Sequence, residues 1–501
     1  MTDLFLNIGS GLLVAVTPTN LLYCFVGCFL GTLIGVLPGL GPSATIAILL
    51  PMTFQLEPIT ALIMIAGIYY GAQYGGSTTA ILVNLPGEAS SVVTAIDGHQ
   101  LAKQGKAGLA LSAAALGSFF AGSAATLAIA MFAPVLALAA LQFGAVEYFS
   151  LMVLGLVASV VLAQGSLVKA LATIILGLMV GIIGIDTVSG AYRFTFGFLE
   201  LSEGVSLVAV AMGLFGLSEI INYLSSGEGD RTLFKTNIRN LWPNRSELRQ
   251  MAPSIVRGSV LGSVLGLLPG GGALLSSFAS YAIEKKISKT PERFGHGAIE
   301  GVAGPESANN AGAQTSFVPM LTLGIPSNAI MALMAGAMIL HGIQPGPSVM
   351  TEQPLLFWGL IASMWVGNLM LVILNLPLVG LWVRMLSIKY IYLFPAIMTF
   401  CAIGAFTLAN SNFDIFVMVI FGLLGYIFKR LGCEPAPFLL GMILGPMMEE
   451  YLRRAMLLSR GDPMVFIERP LSLALLSLSV LAIVAVVVPA VRETREEALK
   501  E

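Results

Sequence analysis

Between Glu306 and Ser316, seven of eleven positions carry a carboxylate, a hydroxyl or an amide: Glu306, Ser307, Asn309, Asn310, Gln314, Thr315 and Ser316. The stretch 304–329 that contains them sits in a chain that is otherwise mostly apolar, and Pro319 and Pro326 interrupt the apolar run that follows the polar cluster. Hydrocarbon offers such groups no partner, and an unpaired polar group there is heavily penalised. A helix carrying them cannot face lipid. It has to be packed inside protein and line a cavity, which makes the stretch a candidate binding site.

The surroundings justify reading this chain against a bilayer. Of 501 residues, 56% are hydrophobic and 10% charged, with a mean hydropathy of +0.89. A soluble domain carries about 25% charged residues. The expectation is an all-α polytopic membrane protein of about 10–14 transmembrane helices, some of them broken or re-entrant. The 55 glycines and 25 prolines exceed what plain spanning rods need, and mark close packing or helix breaks. A net charge of -2 leaves no basic face for nucleic acid. Cys24, Cys28, Cys401 and Cys433 form no CxxC pattern, and His99, His296 and His341 show no metal-ligand spacing. No metal site, cofactor or catalytic residue is expected, and no basic n-region marks a cleaved signal peptide.

The chain divides into an interfacial segment over 1–18, a first membrane repeat over 19–224, a linker over 225–252, a second membrane repeat over 253–450, and a C-terminal helix with a charged tail over 451–501. The linker carries Arg231, Lys235, Arg239, Arg245 and Arg249, which places it on the cytoplasmic side. The repeats share an order of features. Positions 35–41 (GVLPGLG) resemble 266–272 (GLLPGGG), and 85–89 (LPGEA) align with 325–329 (IPSNA). In each half an apolar run meets a Pro-Gly break, then a short half-helix, a polar Gly-rich stretch and a second proline break. Broken helices at corresponding positions of two halves point to a transporter site. An inverted arrangement would set the two Pro-Gly breaks face to face near the midplane.

No Lys or Arg occurs between Met1 and Leu101 or between Phe294 and Val383. An anion bound by these stretches must rely on backbone N–H groups at half-helix starts, each end worth roughly half a positive charge. Candidate substrate contacts are Pro38, Gly39 and Gly41; Ser77 and Thr78; Pro86 and Gly87; Gly270, Gly271 and Gly272; Asn309, Asn310, Thr315 and Ser316; and Pro326 with Ser327. A coupled cation, Na+ or H+, could supply further positive charge. Candidates to hold it are Asn84, Glu88, Glu306, Ser307 and Thr322.

These motifs resemble the large membrane subunit of the tripartite tricarboxylate transporters (TctA-like). The matching stretches are 35–42 (GVLPGLGP), 74–91, Asp97-Gly98, 192–196 (YRFTF), 266–273 (GLLPGGGA), 305–326 (PESANNAGAQTSFVPMLTLGIP), 342–347 (GIQPGP) and 351–354 (TEQP). The resemblance implies a multi-pass subunit of the bacterial inner membrane. It would work with a small four-span membrane subunit and a periplasmic solute-binding protein. It would import di- or tricarboxylates such as citrate, usually driven by a cation gradient. Two other readings are an intramembrane hydrolase or lipid-modifying enzyme, and an ion channel. The first needs a nucleophile with a base, and His99 and His341 lack a partner motif. The second needs a continuous polar lining, whereas the polar clusters are confined to the break regions.

A single cysteine at Thr232, in a background freed of the four native ones, should react with a membrane-impermeant maleimide in inverted but not right-side-out vesicles.

Overall fold

The computed structural model describes residues 2–37, 41–84, 87–140, 142–162, 166–186, 189–226, 241–268, 272–385, 393–409 and 411–487. Pro38, Gly39, Pro86, Gly270 and Gly271 lie outside the described residues, as do 231–239 of the basic linker.

The first half runs through α1 (Thr2–Ala15), α2 (Pro18–Gly35), the half-helix α3 (Pro42–Thr53), α4 (Pro58–Val83), a 3-10 turn (Ala89–Ser91) and α5 (Val92–Lys103). Next come α6 (Ala107–Ala140), α7 (Ala145–Leu162) and α8 (Leu167–Gly181), followed by a two-stranded antiparallel hairpin, β1 (Gly184–Ile185) and β2 (Tyr192–Arg193). A segment composed of α9 (Leu207–Ala211), a π-helical stretch (Met212–Leu217) and α10 (Ser218–Ser226) closes the half. The second half runs through α11 (Arg245–Leu265), the half-helix α12 (Gly272–Ile287), α13 (Glu300–Thr315), α14 (Phe317–Leu323), α15 (Ala329–Leu340) and α16 (Ser348–Glu352). It continues with α17 (Pro354–Asn375), α18 (Val379–Met385), α19 (Leu393–Ala409), α20 (Asn412–Leu431), α21 (Pro435–Leu458), α22 (Val465–Glu468) and α23 (Pro470–Val487).

This is an all-α polytopic membrane protein. Among the described residues, four helical stretches are both long and apolar enough to cross a bilayer: Pro18–Gly35, Ala107–Leu136, Pro354–Asn375 and Asn412–Leu431. Shorter apolar helices such as α3 and α15, 12 residues each, cannot span alone, since spanning takes about 20 residues. Proline at the first turn starts α2, α3, α4, α17 and α21, where its missing N–H costs nothing.

Two helices form the centre. Every residue of α4 from Thr60 to Leu82 is buried, and so is every residue of α13 from Gly301 to Thr315. Protein encloses them on all sides, so their polar groups never meet lipid. Each is gripped by the helix that precedes its half-helix, through glycines spaced four apart. A Cβ at Gly27, Gly31 or Gly35 of α2 would strike the carbonyl oxygens of Met64, Ile68 and Ala72 of α4. From the other side, Gly67, Gly71 and Gly75 of α4 press on the α2 backbone at Cys28 and Thr32. In the second half, Gly258, Gly262 and Gly266 of α11 meet the carbonyls of Gly304, Ala308 and Gly312 of α13 in the same way. Such small-residue faces let helix backbones approach closely, which drives helix association where lipid removes the hydrophobic drive.

Each half-helix packs mainly within its own half and also touches the other. α12 packs against the Ala89–Ser91 turn of the first half, and Ser277 Oγ donates to the Ser90 carbonyl at 3.1 Å. Reciprocally, α3 packs against α15 of the second half. Asp97 of α5 adds a polar clamp. Its Oδ1 accepts the backbone N–H groups of Gly295, Gly297 and Ala298 at 2.9, 2.7 and 2.8 Å, and its Oδ2 accepts Tyr281 Oη–H at 2.9 Å. Those charge-assisted bonds fix the loop from which α13 starts.

Several boundaries differ from the sequence reading. α4 continues as one helix through the Gly-rich stretch 71–79, because glycine is tolerated where a neighbouring backbone occupies the missing side-chain space. The apolar stretch after α16 forms two helices, α17 and α18. α11 opens at Arg245, inside the stretch assigned to the linker, with an Asn244/Glu247 capping box. The segment assigned as interfacial contains α1, which packs along α17 with Gly11 against the Trp358 backbone. After α8, Arg193 and Arg453 bind Asp186 and Glu449. Arg193 Nη1 lies 2.9 Å from Glu449, and Arg453 Nη2 lies 2.9 Å from Asp186 and 2.7 Å from Glu449, so the hairpin is tied to α21.

Gly31→Val and Gly262→Val should each lower the melting temperature sharply, by the roughly 1–3 kcal/mol of overpacking or more. Gly380→Ala, where a Cβ meets nothing within 4 Å, should leave it unchanged.

Candidate functional site

Two polar sites flank the central helices. The larger is a cavity of about 310 Å3. Gly41 and Pro42 bring the start of α3 to it, Gly272 and Ala273 the start of α12, Asn328 and Ala329 the start of α15, and Glu88 with Ala89 the 3-10 turn. Glu434 and Ala436 bring the start of α21 to it as well, so four helix N-termini and the turn that leads into α5 converge on one space. The described ends of the two Pro-Gly breaks, Gly41 and Gly272, face the same cavity, as the repeat pattern predicts. Gly272 holds φ at 39°, a left-handed conformation that favours glycine, and a Cβ there would press on Asn328 Nδ2. Asn328 caps α15 by accepting the Met331 N–H at 2.9 Å, while its Nδ2 donates to Ser316 Oγ at 3.3 Å.

No lysine or arginine lines this cavity among the described residues. Three carboxyl side chains do: Glu88, Glu219 and Glu434. Glu219 is ion-paired with Lys429 of α20. Glu88 is held differently. Its Oε1 accepts Ser90 Oγ–H at 2.6 Å and Asn309 Nδ2–H at 3.1 Å, and the residue caps the turn at Ala89–Ser91.

The smaller site is a void of about 10 Å3 beside Glu306, one turn before Asn309 on α13. Glu306 is 1% exposed. Ser77 Oγ of α4 lies 2.8 Å from both of its oxygens, Thr94 Oγ1 of α5 donates to Oε1, and Ser118 Oγ of α6 lies 3.5 Å from Oε2. Asn310 Nδ2 supports that arrangement by donating to Ser118 Oγ at 2.6 Å. Glu306 makes no ion pair among the described residues, and hydroxyls from three helices carry its charge.

The candidates from sequence thus separate. Gly41, Glu88 and Gly272 line the cavity; Ser77, Thr78 and Glu306 line the void; Asn309 and Asn310 bind a carboxylate or its support. Ser316 and Ser327 brace the kink between α13 and α15, with Ser327 Oγ donating to the Ser316 carbonyl at 3.2 Å. Pro326 is buried in the same kink, and Gly87 is wedged between Gly35 and Gly76. The rest are not drawn into either site. Ser307, Thr315 and Thr322 donate to carbonyls of their own turns, at 2.7, 3.0 and 2.7 Å. Asn84 ends α4 at φ 56°, an exposed helix-terminating residue.

Sequence reasoning passed over Tyr69, Gln73, Phe215 and Asn328 at the cavity, and Tyr74, Ser118 and Asn375 at the void. Phe215 lies in the π-helical stretch, a local irregularity frequent at functional sites. Ser118 shares α6 with Ser112, Ser123 and Thr126, and Asn375 shares α17 with Ser363 and Asn368, so no local signal singles out either one.

The chain matches the family described as "Tripartite tricarboxylate transporter TctA family" over residues 21–440. It therefore belongs to that family, one of transporters rather than enzymes. It is 58% identical over 501 residues, all of both chains, to the "Uncharacterized 52.8 kDa protein in TAR-I ttuC' 3'region" of Agrobacterium vitis. It is 60% identical over 240 residues to the "Uncharacterized protein in TAR-II ttuC' 3'region" of Agrobacterium vitis, an alignment that spans 48% of this chain and 99% of the relative. No solved structure matches.

Asn309→Ala should abolish uptake by stripping Glu88 of its amide donor, and Asn310→Ala by releasing Ser118. Membrane insertion and yield should stay at the wild-type level in both. Wild-type transport in either variant would remove that asparagine from the site.

Proposed function

We propose that this chain is the large permease subunit of a binding-protein-dependent secondary transporter that imports di- or tricarboxylates of the citrate type by Na+ or H+ symport across the bacterial inner membrane. Its partners are a small four-span membrane subunit and a periplasmic solute-binding protein. One observation carries the reading. A cavity of about 310 Å3, inside the size range of small-ligand sites, receives the N-termini of α3, α12, α15 and α21 and is lined by no lysine or arginine among the described residues. Helix N-termini supply N–H donors and partial positive charge, so such a space suits a carboxylate without any basic side chain.

Glu88 supports cation coupling. An anion entering the cavity meets a carboxylate whose contacts are a hydroxyl and an amide. Two negative groups in a low-dielectric space repel strongly unless a cation or proton enters with the substrate. Two broken halves that touch through their half-helices suit alternating access, in which one half rocks against the other about a fixed site.

The test is uptake by vesicles holding this chain with its two partners, over a panel of mono-, di- and tricarboxylates. Uptake of at least one di- or tricarboxylate should require the binding protein and fall when the sodium and proton gradients are both collapsed. Uptake unchanged under that collapse would defeat symport, and no carboxylate uptake at all would defeat the assignment.

A further inference from the structure

We propose that the void beside Glu306 is the seat of the coupling cation, and that this cation is sodium. The inference deepens the cation-coupled reading above by assigning the ion and its ligands. Six polar side chains from four helices enclose the void: Tyr74, Ser77 and Thr78 of α4, Ser118 of α6, Glu306 of α13 and Asn375 of α17. Each carries a side-chain oxygen, the ligand type that hard cations select.

Two of these groups point to a missing ligand independently of the carboxylate. Tyr74 Oη and Asn375 Oδ1 are buried, in residues 4% and 6% exposed, and neither has a hydrogen-bond partner. A buried polar atom left unsatisfied costs about 1–3 kcal/mol, so native proteins rarely keep two beside one void without a reason. A proton on Glu306 could satisfy at most one of them. A cation in the void serves both oxygens and neutralises the carboxylate.

Charge and size narrow the choice. The void is about 10 Å3, near the space of a single water, so it takes a bare ion and not a hydrated one. Glu306 is its one carboxylate, and no group of three His, Cys, Asp or Glu side chains that could hold a metal occurs among the described residues. A single negative charge balances a monovalent ion and leaves a divalent one half-compensated. Basic side chains on the helices packed against α13 do not compete. Arg257 of α11 is committed to Glu284, with Nε at 2.8 Å and Nη2 at 2.5 Å. Lys285 and Lys286 lie in the last turn of α12, Lys103 in that of α5, and Arg245 and Arg249 are exposed in the opening turns of α11. One turn along α13, Asn309 contacts Glu88 at the larger cavity, so occupancy of the void is linked through a single helix to the place where the anion sits.

The test needs neither substrate nor partners. The purified full chain is titrated with sodium chloride against choline chloride at constant ionic strength, and melting temperature is followed together with 22Na+ binding. A ligand that binds only the folded state raises the melting temperature in a saturable way. The expected result is such a rise in wild type, its loss in Glu306→Gln, and a shift of the half-saturating sodium concentration by about tenfold or more in Tyr74→Phe and Asn375→Ala, each tenfold being about 1.4 kcal/mol. Glu352→Gln, on the exposed end of α16, should respond as wild type does. If Glu306→Gln fails to fold, the Tyr74→Phe and Asn375→Ala pair decides alone. A wild-type melting temperature that ignores sodium overturns the proposal, as does an unchanged sodium response in Tyr74→Phe and Asn375→Ala. Sodium binding with no carboxylate uptake would keep the site while removing the transport assignment. Carboxylate uptake with no sodium binding would do the reverse.

Discussion

The structure depends on backbone meeting backbone. α2 lies on α4, and α11 on α13, at a separation that leaves no room for a Cβ at Gly27, Gly31, Gly35, Gly258, Gly262 or Gly266. Dispersion contacts at that distance replace the hydrophobic drive that lipid removes. Both ladders end three residues before a Pro-Gly break, at Gly35 and Gly266. The helices are therefore held up to the point where they stop. Where each half-helix begins, and so where its N–H groups are aimed, follows from the ladder.

With that frame fixed, charge can be handled without basic side chains. Helix starts bring N–H groups and partial positive charge to a cavity that three carboxyl side chains also line. The negative charge of Glu306 is spread over hydroxyls of Ser77, Thr94 and Ser118, and that of Glu88 over Ser90 and Asn309. Each arrangement needs donors from several helices at once. This explains why α4 and α13 are buried along almost their whole lengths, since a lipid-facing side would break the set.

Much of this was legible from composition and repeated pattern. The repeated pattern anticipates that Gly41 and Gly272, the described ends of the breaks, line one cavity, and the burial of 304–316 follows from the cost of polar groups in hydrocarbon. The glycine ladder was present as a period of four, but Pro-Gly breaks drew the reading and the spacing before them did not. Other features were hidden for a physical reason. Ser307, Thr315 and Thr322 look like ligands, yet a hydroxyl can bond its own helix carbonyl, and only coordinates reveal which choice it made. Tyr74, Ser118 and Asn375 converge from three helices, and nothing local in the chain encodes that meeting.

The clamp at Asp97 bears on how the protein is made. Its three amide partners begin 198 residues downstream. At about 5–20 residues per second, translation delivers them roughly 10–40 s after the carboxylate has been synthesised. Ser77 and Thr94 wait in the same way for Glu306, 229 and 212 positions later. The nascent first half thus sits in the insertion machinery with its polar interior open, and it closes only when the second half arrives to be read against it.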